Sequence, residues 1–228
     1  MKKLFLLAAL AAAVFADGET LREAIAPFAE SGALPGAVMV LEKPGATDIA
    51  EFGFVDEAGT RRISLDSTFM QCSQTKGFCG VTVAILVEEG KLSLDDPVSK
   101  YLPQFKTLWV KHIDHREDGD IVTLREAKNV LTVRDAMNHT GGFPFEIPSK
   151  QQYPAGLGWR GVPLDVTALE AAAMPLLFEP GTKVQYSNTG IDVGARIVEA
   201  VTGKPWPEFL KERVLDPLGM KDTMPPNR

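Results

Sequence analysis

Ser73 and Lys76 stand three positions apart in the run Ser73-Gln74-Thr75-Lys76. A serine hydroxyl is a weak nucleophile until a neighbouring base takes its proton. On a helix, a lysine three residues on lies one turn away on the same side. A lysine held in a buried site can shed its proton near neutral pH and accept the serine's. The most apolar stretch of the chain starts here, so Ser73 is expected at a helix start, among free N–H groups and the positive end of the helix dipole. Such a place suits an oxyanion formed in acyl transfer. Alone, Ser-x-x-Lys is a weak signal, because a chain of this length carries roughly one by chance.

Tyr186-Ser187-Asn188 is the second candidate. It is expected on a loop just before a helix. A phenol near Lys76 would titrate at lower pH and shuttle the proton. Asn188 offers an amide to a substrate carbonyl and to Lys76. A turn-capping asparagine is the ordinary alternative.

Other residues carry less weight. His112 and His115 could ligate a metal, but a solvated loop explains their charged surroundings better. His139 is either a general base or, preferably, a hydrogen-bonded structural histidine beside a glycine turn. Trp159 and Tyr153 either line a cleft or pin a Gly/Pro-rich loop. Cys72 and Cys79 are seven residues apart, which on a helix is about 10 Å along the axis. A disulfide needs Cα atoms within about 7 Å, so both are read as buried thiols. Compact Cys-x-x-Cys or His-x-x-x-His pairs are absent, so no metal is expected.

Elements must hold these groups in place. Leu21, Ile25 and Phe28 recur at helical spacing over 19–31, ended by Gly32. Strand-like runs at 36–43 and 48–55, joined at Pro44-Gly45, predict a hairpin. Residues 74–89 are apolar nearly all round, which predicts a helix buried on every side. Residues 92–103 are turn-rich, and 110–122 read as a polar surface loop. A short helix capped by Thr132 is expected over 131–138. A long Gly/Pro-rich loop follows over 139–163. Helices are then expected at 165–174, 190–202 and 206–215, with Gly203 as a stop. Strands followed by a mainly helical stretch suggest an α/β layer with a helical insertion.

Composition narrows the partners. A chain of 228 residues, 45% hydrophobic and 24% charged, is globular and fits one large domain or two small ones. A net charge of −6 argues against non-specific nucleic-acid binding. Lys2 and Lys3 precede an apolar run from Leu4 to Val14, and Val14-Phe15-Ala16 offers small residues for cleavage. Residues 1–16 therefore read as a secretory signal, too short to span a bilayer; an N-terminal core helix is the alternative. With no cysteine near Ala16 there is no lipid acceptor, and no stable membrane anchor is expected. The mature protein is expected to be exported, periplasmic or secreted.

Taken together, Ser73-x-x-Lys76 and Tyr186-Ser187-Asn188 resemble the penicillin-recognising serine hydrolases, and most of all the group of class C β-lactamases, DD-carboxypeptidases, D-aminopeptidases and esterases. The resemblance extends through LPGAVMVLEK (34–43), STFMQCSQTKGFCGVTVAILVEEGKLSLDDPVSKYLP (67–103), LTVRDAMNHTGGFP (131–144) and the stretch 178–223. Motif order and spacing agree together, which makes it specific.

The resemblance implies an α/β fold of the β-lactamase/DD-peptidase type: an antiparallel sheet flanked by helices with a mainly helical insertion. It implies an α/β part over about 17–72 and a mainly helical part over about 73–228. It implies that Ser73 attacks an amide, β-lactam or ester carbonyl and forms an acyl-enzyme. Lys76 and Tyr186 would relay the proton, Asn188 would orient the substrate's amide, and the Ser73 backbone N–H would give half an oxyanion hole. The substrate is a small molecule or peptide, and no metal or organic cofactor is implied. The family's third motif, Lys-Thr-Gly or His-x-Gly on a later strand, has no counterpart. Thr202-Gly203-Lys204 reads as a helix stop, and His139-Thr140-Gly141-Gly142 precedes Tyr186. The C-terminal strands are therefore expected to be missing, which leaves a non-catalytic binding or sensor module, or an inactive fragment, as the alternative function.

Overall fold

A computed structural model describes residues 21–147 and 162–223. The expected secretory signal, Tyr153 and Trp159 lie outside the described residues. The chain folds as two units, divided between Met70 and Gln71.

In the first unit, α1 (Leu21–Glu30) precedes a hairpin of β1 (Gly36–Lys43) and β2 (Ala46–Gly53). The strands are antiparallel, with Gly36 opposite Gly53 and Lys43 opposite Ala46. Leu21 and Ile25 form the buried stripe of α1, despite Pro27 within the helix. The Leu21 amide donates to Asp48 Oδ2 at 3.3 Å, and the Arg22 guanidinium lies 5.4 Å from the centre of the Phe52 ring. Gly53 has φ +71°, and a Cβ there would meet the Pro35 carbonyl oxygen at 2.0 Å, so the end of β2 requires glycine.

The second unit is built around α2 (Thr75–Glu88) and α5 (Asn188–Thr202). Between them in sequence come a hairpin of β3 (Trp109–Asp114) and β4 (Ile121–Glu126), α3 (Val133–Met137) and α4 (Leu164–Ala173). After α5 follow α6 (Trp206–Leu210) and a π-helical turn, Lys211–Leu215. Cys79, Val83 and Leu86 of α2 share a core with Ile191, Val193, Ile197 and Val198 of α5. The Trp206 indole donates to Thr82 Oγ1 at 3.0 Å inside that core, and the Thr82 hydroxyl donates to the Cys79 carbonyl at 2.8 Å. Thr132 caps α3 in a reciprocal pair with Asp135, and Gly203 ends α5 at φ 70°.

Three sequence expectations are corrected here. The polar loop over 110–122 belongs instead to the β3–β4 hairpin, with Trp109 opposite Glu126 and Asp114 opposite Ile121. Val110 is its one buried strand residue, and the Leu176 backbone bonds on both sides of it, to Trp109 and Lys111. Helix α2 is buried on one face only: Val81 is 46% exposed and Ala84 is exposed too. Cys72 is exposed, whereas Cys79 is buried, and among the described residues neither forms a disulfide. Cys72 has φ 47° in a 3-10 turn, Cys72–Gln74, that leads into α2, so it lies outside the helix whose inner face buries Cys79.

Candidate active site

Ser73 sits in that 3-10 turn, one residue before α2 begins. The left-handed backbone of Cys72 turns the chain sharply there, and Ser73 is left exposed. One helical turn on, the half-buried Lys76 Nζ donates to Ser73 Oγ at 3.3 Å. From 113 positions further along the chain, the Tyr186 hydroxyl bonds to the same oxygen at 2.7 Å. Both hydroxyls rotate, so the proton between them can belong to either. The Lys76 ammonium also lies 4.8 Å from the centre of the Tyr186 ring.

Tyr186 precedes α5, and the cap of that helix fixes its place. Ser187 is the N-cap: its Oγ accepts from the Gly190 amide at 3.2 Å and donates to the Pro144 carbonyl at 2.7 Å. The Lys76 ammonium, and then the Ser73 hydroxyl, stabilise the phenolate and hold the Tyr186 phenol below its ordinary pKa of 10.0.

His139 supports Tyr186 from beneath. Its ring lies 4.7 Å from the tyrosine ring, centre to centre. Its carbonyl accepts from the Gln185 amide at 2.9 Å, and its Nδ1 accepts from the Ser187 amide at 3.2 Å. Accepting at Nδ1 places the ring proton on Nε2. Burial first, and then the Lys76 charge, lower the His139 pKa from 6.5 and keep the ring neutral. His139 itself adopts φ 67°, a conformation uncommon outside glycine. Of its two sequence readings, this is the structural, hydrogen-bonded one.

Asn188 is the first residue of α5. Its backbone N–H donates to the Phe145 carbonyl and its Nδ2 to Glu146 Oε1, both at 2.9 Å. Among the described residues its amide nitrogen thus serves Glu146. Phe145 lies over Tyr186 with ring centres 6.1 Å apart. Sequence reasoning passed over Phe145 and Glu146, although both stand in the segment after the His139-Thr140-Gly141-Gly142 turn. Their signal was the position of that segment, which the chain folds back against Tyr186.

The structure therefore brings Ser73, Lys76 and Tyr186 within reach of one proton. Residues 21–224 match the family model described as beta-lactamase. The chain belongs to the beta-lactamase family. An uncharacterized protein of Mycobacterium tuberculosis is 31% identical over 202 residues, covering 85% of this chain and 48% of that protein. Esterase EstB of Burkholderia gladioli is 30% identical over 197 residues, covering 83% of this chain and 46% of the esterase. Among solved structures, the LovD6 mutant of simvastatin synthase from Aspergillus terreus aligns at 26% identity with a TM-score of 0.64, over 95% of this chain and 49% of that one. This beta-lactamase-family chain spans about half the length of the curated relatives it matches. The β-lactamase-like mixture of helix and antiparallel sheet expected from its sequence is the fold observed.

The histidines of the β3–β4 hairpin stay apart from this site in the sequence and in their contacts. His112 faces Thr123 across the ladder, and His115 Nδ1 meets Asp120 Oδ1 at 2.7 Å on the surface. Among the described residues, no three histidine, cysteine or acidic side chains gather as a metal site, and no helix is long and apolar enough to cross a membrane.

Proposed function

We infer that this protein is an exported serine acyl-hydrolase that forms an acyl-enzyme at Ser73. One observation carries the reading: the 2.7 Å bond between Ser73 Oγ and the Tyr186 hydroxyl, with Lys76 on both. The nucleophile touches a base, and an ammonium holds that base, which is the arrangement nucleophilic catalysis needs.

The steps follow from the contacts. The Ser73 proton passes to the Tyr186 phenolate as Oγ bonds to the substrate carbonyl carbon. The tetrahedral intermediate collapses, the bond to the leaving oxygen or nitrogen breaks, and Tyr186 returns the proton to that leaving group. Water then attacks the acyl carbon, giving one proton to Tyr186. The Oγ–carbon bond breaks, the acid leaves, and Ser73 recovers the proton. Lys76 stabilises the phenolate throughout. An amide, a β-lactam or an ester fits these steps, and the relative named an esterase favours the ester.

The test is labelling with a fluorophosphonate, in which Ser73 Oγ displaces fluoride from phosphorus, or with a labelled penicillin. The expected adduct maps to Ser73 and disappears in Ser73→Ala. A folded protein without that adduct overturns the reading. Ester turnover lost in Ser73→Ala excludes a non-catalytic binding role. Export rests on residues 1–16 and predicts a mature N-terminus at Asp17, read by N-terminal sequencing of the secreted chain.

A further inference from the structure

The segment that carries Tyr186 is held at both ends. At its far end the Gln185 amide donates to the His139 carbonyl, and the Ser187 hydroxyl donates to the Pro144 carbonyl. At its near end stands Glu179, whose side chain is only 13% exposed. Its Oε1 accepts from the Arg125 guanidinium, near the end of β4, and from the Lys128 amide at 3.2 Å. Its Oε2 accepts from the amides of Lys128 and Asn129 at 3.0 and 3.3 Å. Asn129 Nδ2 donates to the next carbonyl, that of Pro180, at 2.8 Å, and the Gly181 amide donates to the Thr140 carbonyl at 2.9 Å. Lys183 and Val184, between the two anchors, lie exposed.

The near anchor requires a carboxylate. Donors approach both oxygens of Glu179, and an ionised carboxylate accepts at both without donating at either. A glutamine has one acceptor oxygen and an NH2 group, so either orientation sets an N–H against an N–H donor. Enclosed as this side chain is, little water reaches that meeting to relieve it. The segment from Glu179 to Gly181 must then part from Lys128 and Asn129. That displacement passes along the chain to Tyr186, whose hydroxyl stands 2.7 Å from Ser73 Oγ.

We propose that Glu179 is a positioning residue for acyl transfer: its carboxylate locks the start of the Tyr186 segment to the end of the β3–β4 hairpin and so sets Tyr186 against Ser73 and Lys76. Glu179 acts through Tyr186, and the hairpin supports the site from outside it. This deepens the acyl-hydrolase reading and rests on it.

The test reads Tyr186 directly. Tyrosinate absorbance is titrated in the full chain, and the titration of Tyr186→Phe is subtracted to leave the signal of Tyr186. The wild-type midpoint is expected below 10.0, where Lys76 and Ser73 hold it. In Glu179→Gln the midpoint should rise toward 10.0, because the phenol has moved off both groups. Fluorophosphonate labelling of Ser73 should slow by about 10²-fold, the cost of a misplacement of about 1 Å. Glu179→Asp, which keeps both carboxylate oxygens, should recover much of the midpoint and of the rate. A carboxylate that served stability alone would lower the unfolding temperature and leave the Tyr186 midpoint where it was, which overturns the proposal. If Glu179→Gln does not fold, Asn129→Ala, which removes the bond to Pro180 from the other side of the clamp, takes its place: a raised midpoint supports the proposal and an unmoved one overturns it. A folded wild type that takes no label at Ser73 ends the acyl-hydrolase reading, and the titration still decides whether Glu179 sets the place of Tyr186.

Discussion

Tyr186 and Ser73 are separated by 113 positions in the chain, yet their side-chain oxygens lie 2.7 Å apart. The packing of α2 against α5 closes that distance, since Ser73 precedes one helix and Tyr186 the other. The core of the second unit thus sets the geometry of the site.

Replacing Tyr186 with phenylalanine keeps the ring on Phe145 and His139 and removes the proton acceptor. Acylation of Ser73 by a fluorophosphonate should slow by about 10²–10⁴, the usual contribution of a positioned acid–base group. The pH profile carries the sharper signal. Lys76 holds the phenol below 10.0, so the phenolate fraction grows as pH rises toward that lowered value. The acylation rate of the wild type should climb with pH, with a midpoint below 10.0, and Tyr186→Phe should lose that limb. An identical pH profile in both proteins would remove Tyr186 from the proton path.

His139 gives an acid limb of opposite origin. Its folded pKa is depressed below 6.5 by burial and by Lys76, so the unfolded chain takes up a proton that the folded site resists. Stability is full above 6.5 and falls as pH drops from there to the lowered folded value. Protonation at Nδ1 also removes the acceptor for the Ser187 amide, which holds the Tyr186 loop. Thermal unfolding followed across this window should show the loss in the wild type and a smaller one in His139→Gln. Equal slopes in the two would place the titration elsewhere.

Local patterns and tertiary placement were unequally legible. Helices α1, α3 and α5 were readable because each has its own periodic face, cap or glycine stop, as with Thr132 and Gly203. The β3–β4 hairpin was hidden because a strand is recognised by a buried alternate face. Here β4 is exposed at every position and β3 buries only Val110. Helix α2 misled in the other direction: its all-round apolar sequence carries no sign of which face is covered, and Val81 stays exposed. In the site, Ser73, Lys76, Tyr186 and Asn188 stood out by type and spacing, whereas Phe145 and Glu146 needed the fold. Their nearness to Asn188 depends on a loop returning across 42 positions, which local spacing cannot express.

The Thr82–Trp206 pair tests the core that carries both helices. Thr82 Oγ1 accepts from the indole at 3.0 Å, and both side chains are buried. Thr82→Val has nearly the same shape but leaves the indole N–H without an acceptor. The expected loss is about 1–3 kcal/mol in denaturant unfolding. Thr82→Ser, which keeps the oxygen, should recover much of it. Equal losses in the two variants would assign the effect to packing.

Gly190 connects this core to the catalytic loop. It lies in the first turn of α5, two residues after Asn188, and a Cβ there would come within 2.6 Å of the Ala136 carbonyl oxygen. That atom belongs to α3, whose backbone cannot retreat easily while Thr132 and Asp135 cap it. In Gly190→Ala the start of α5 must therefore shift, and with it Ser187 and Tyr186. A misplacement of about 1 Å costs roughly 10²-fold in an oriented reaction. Ser73 labelling should slow by about that factor while far-UV circular dichroism stays that of the wild type. An alanine variant that labels at the wild-type rate would show that the tight seat of Gly190 is a packing feature with no bearing on how Tyr186 meets Ser73.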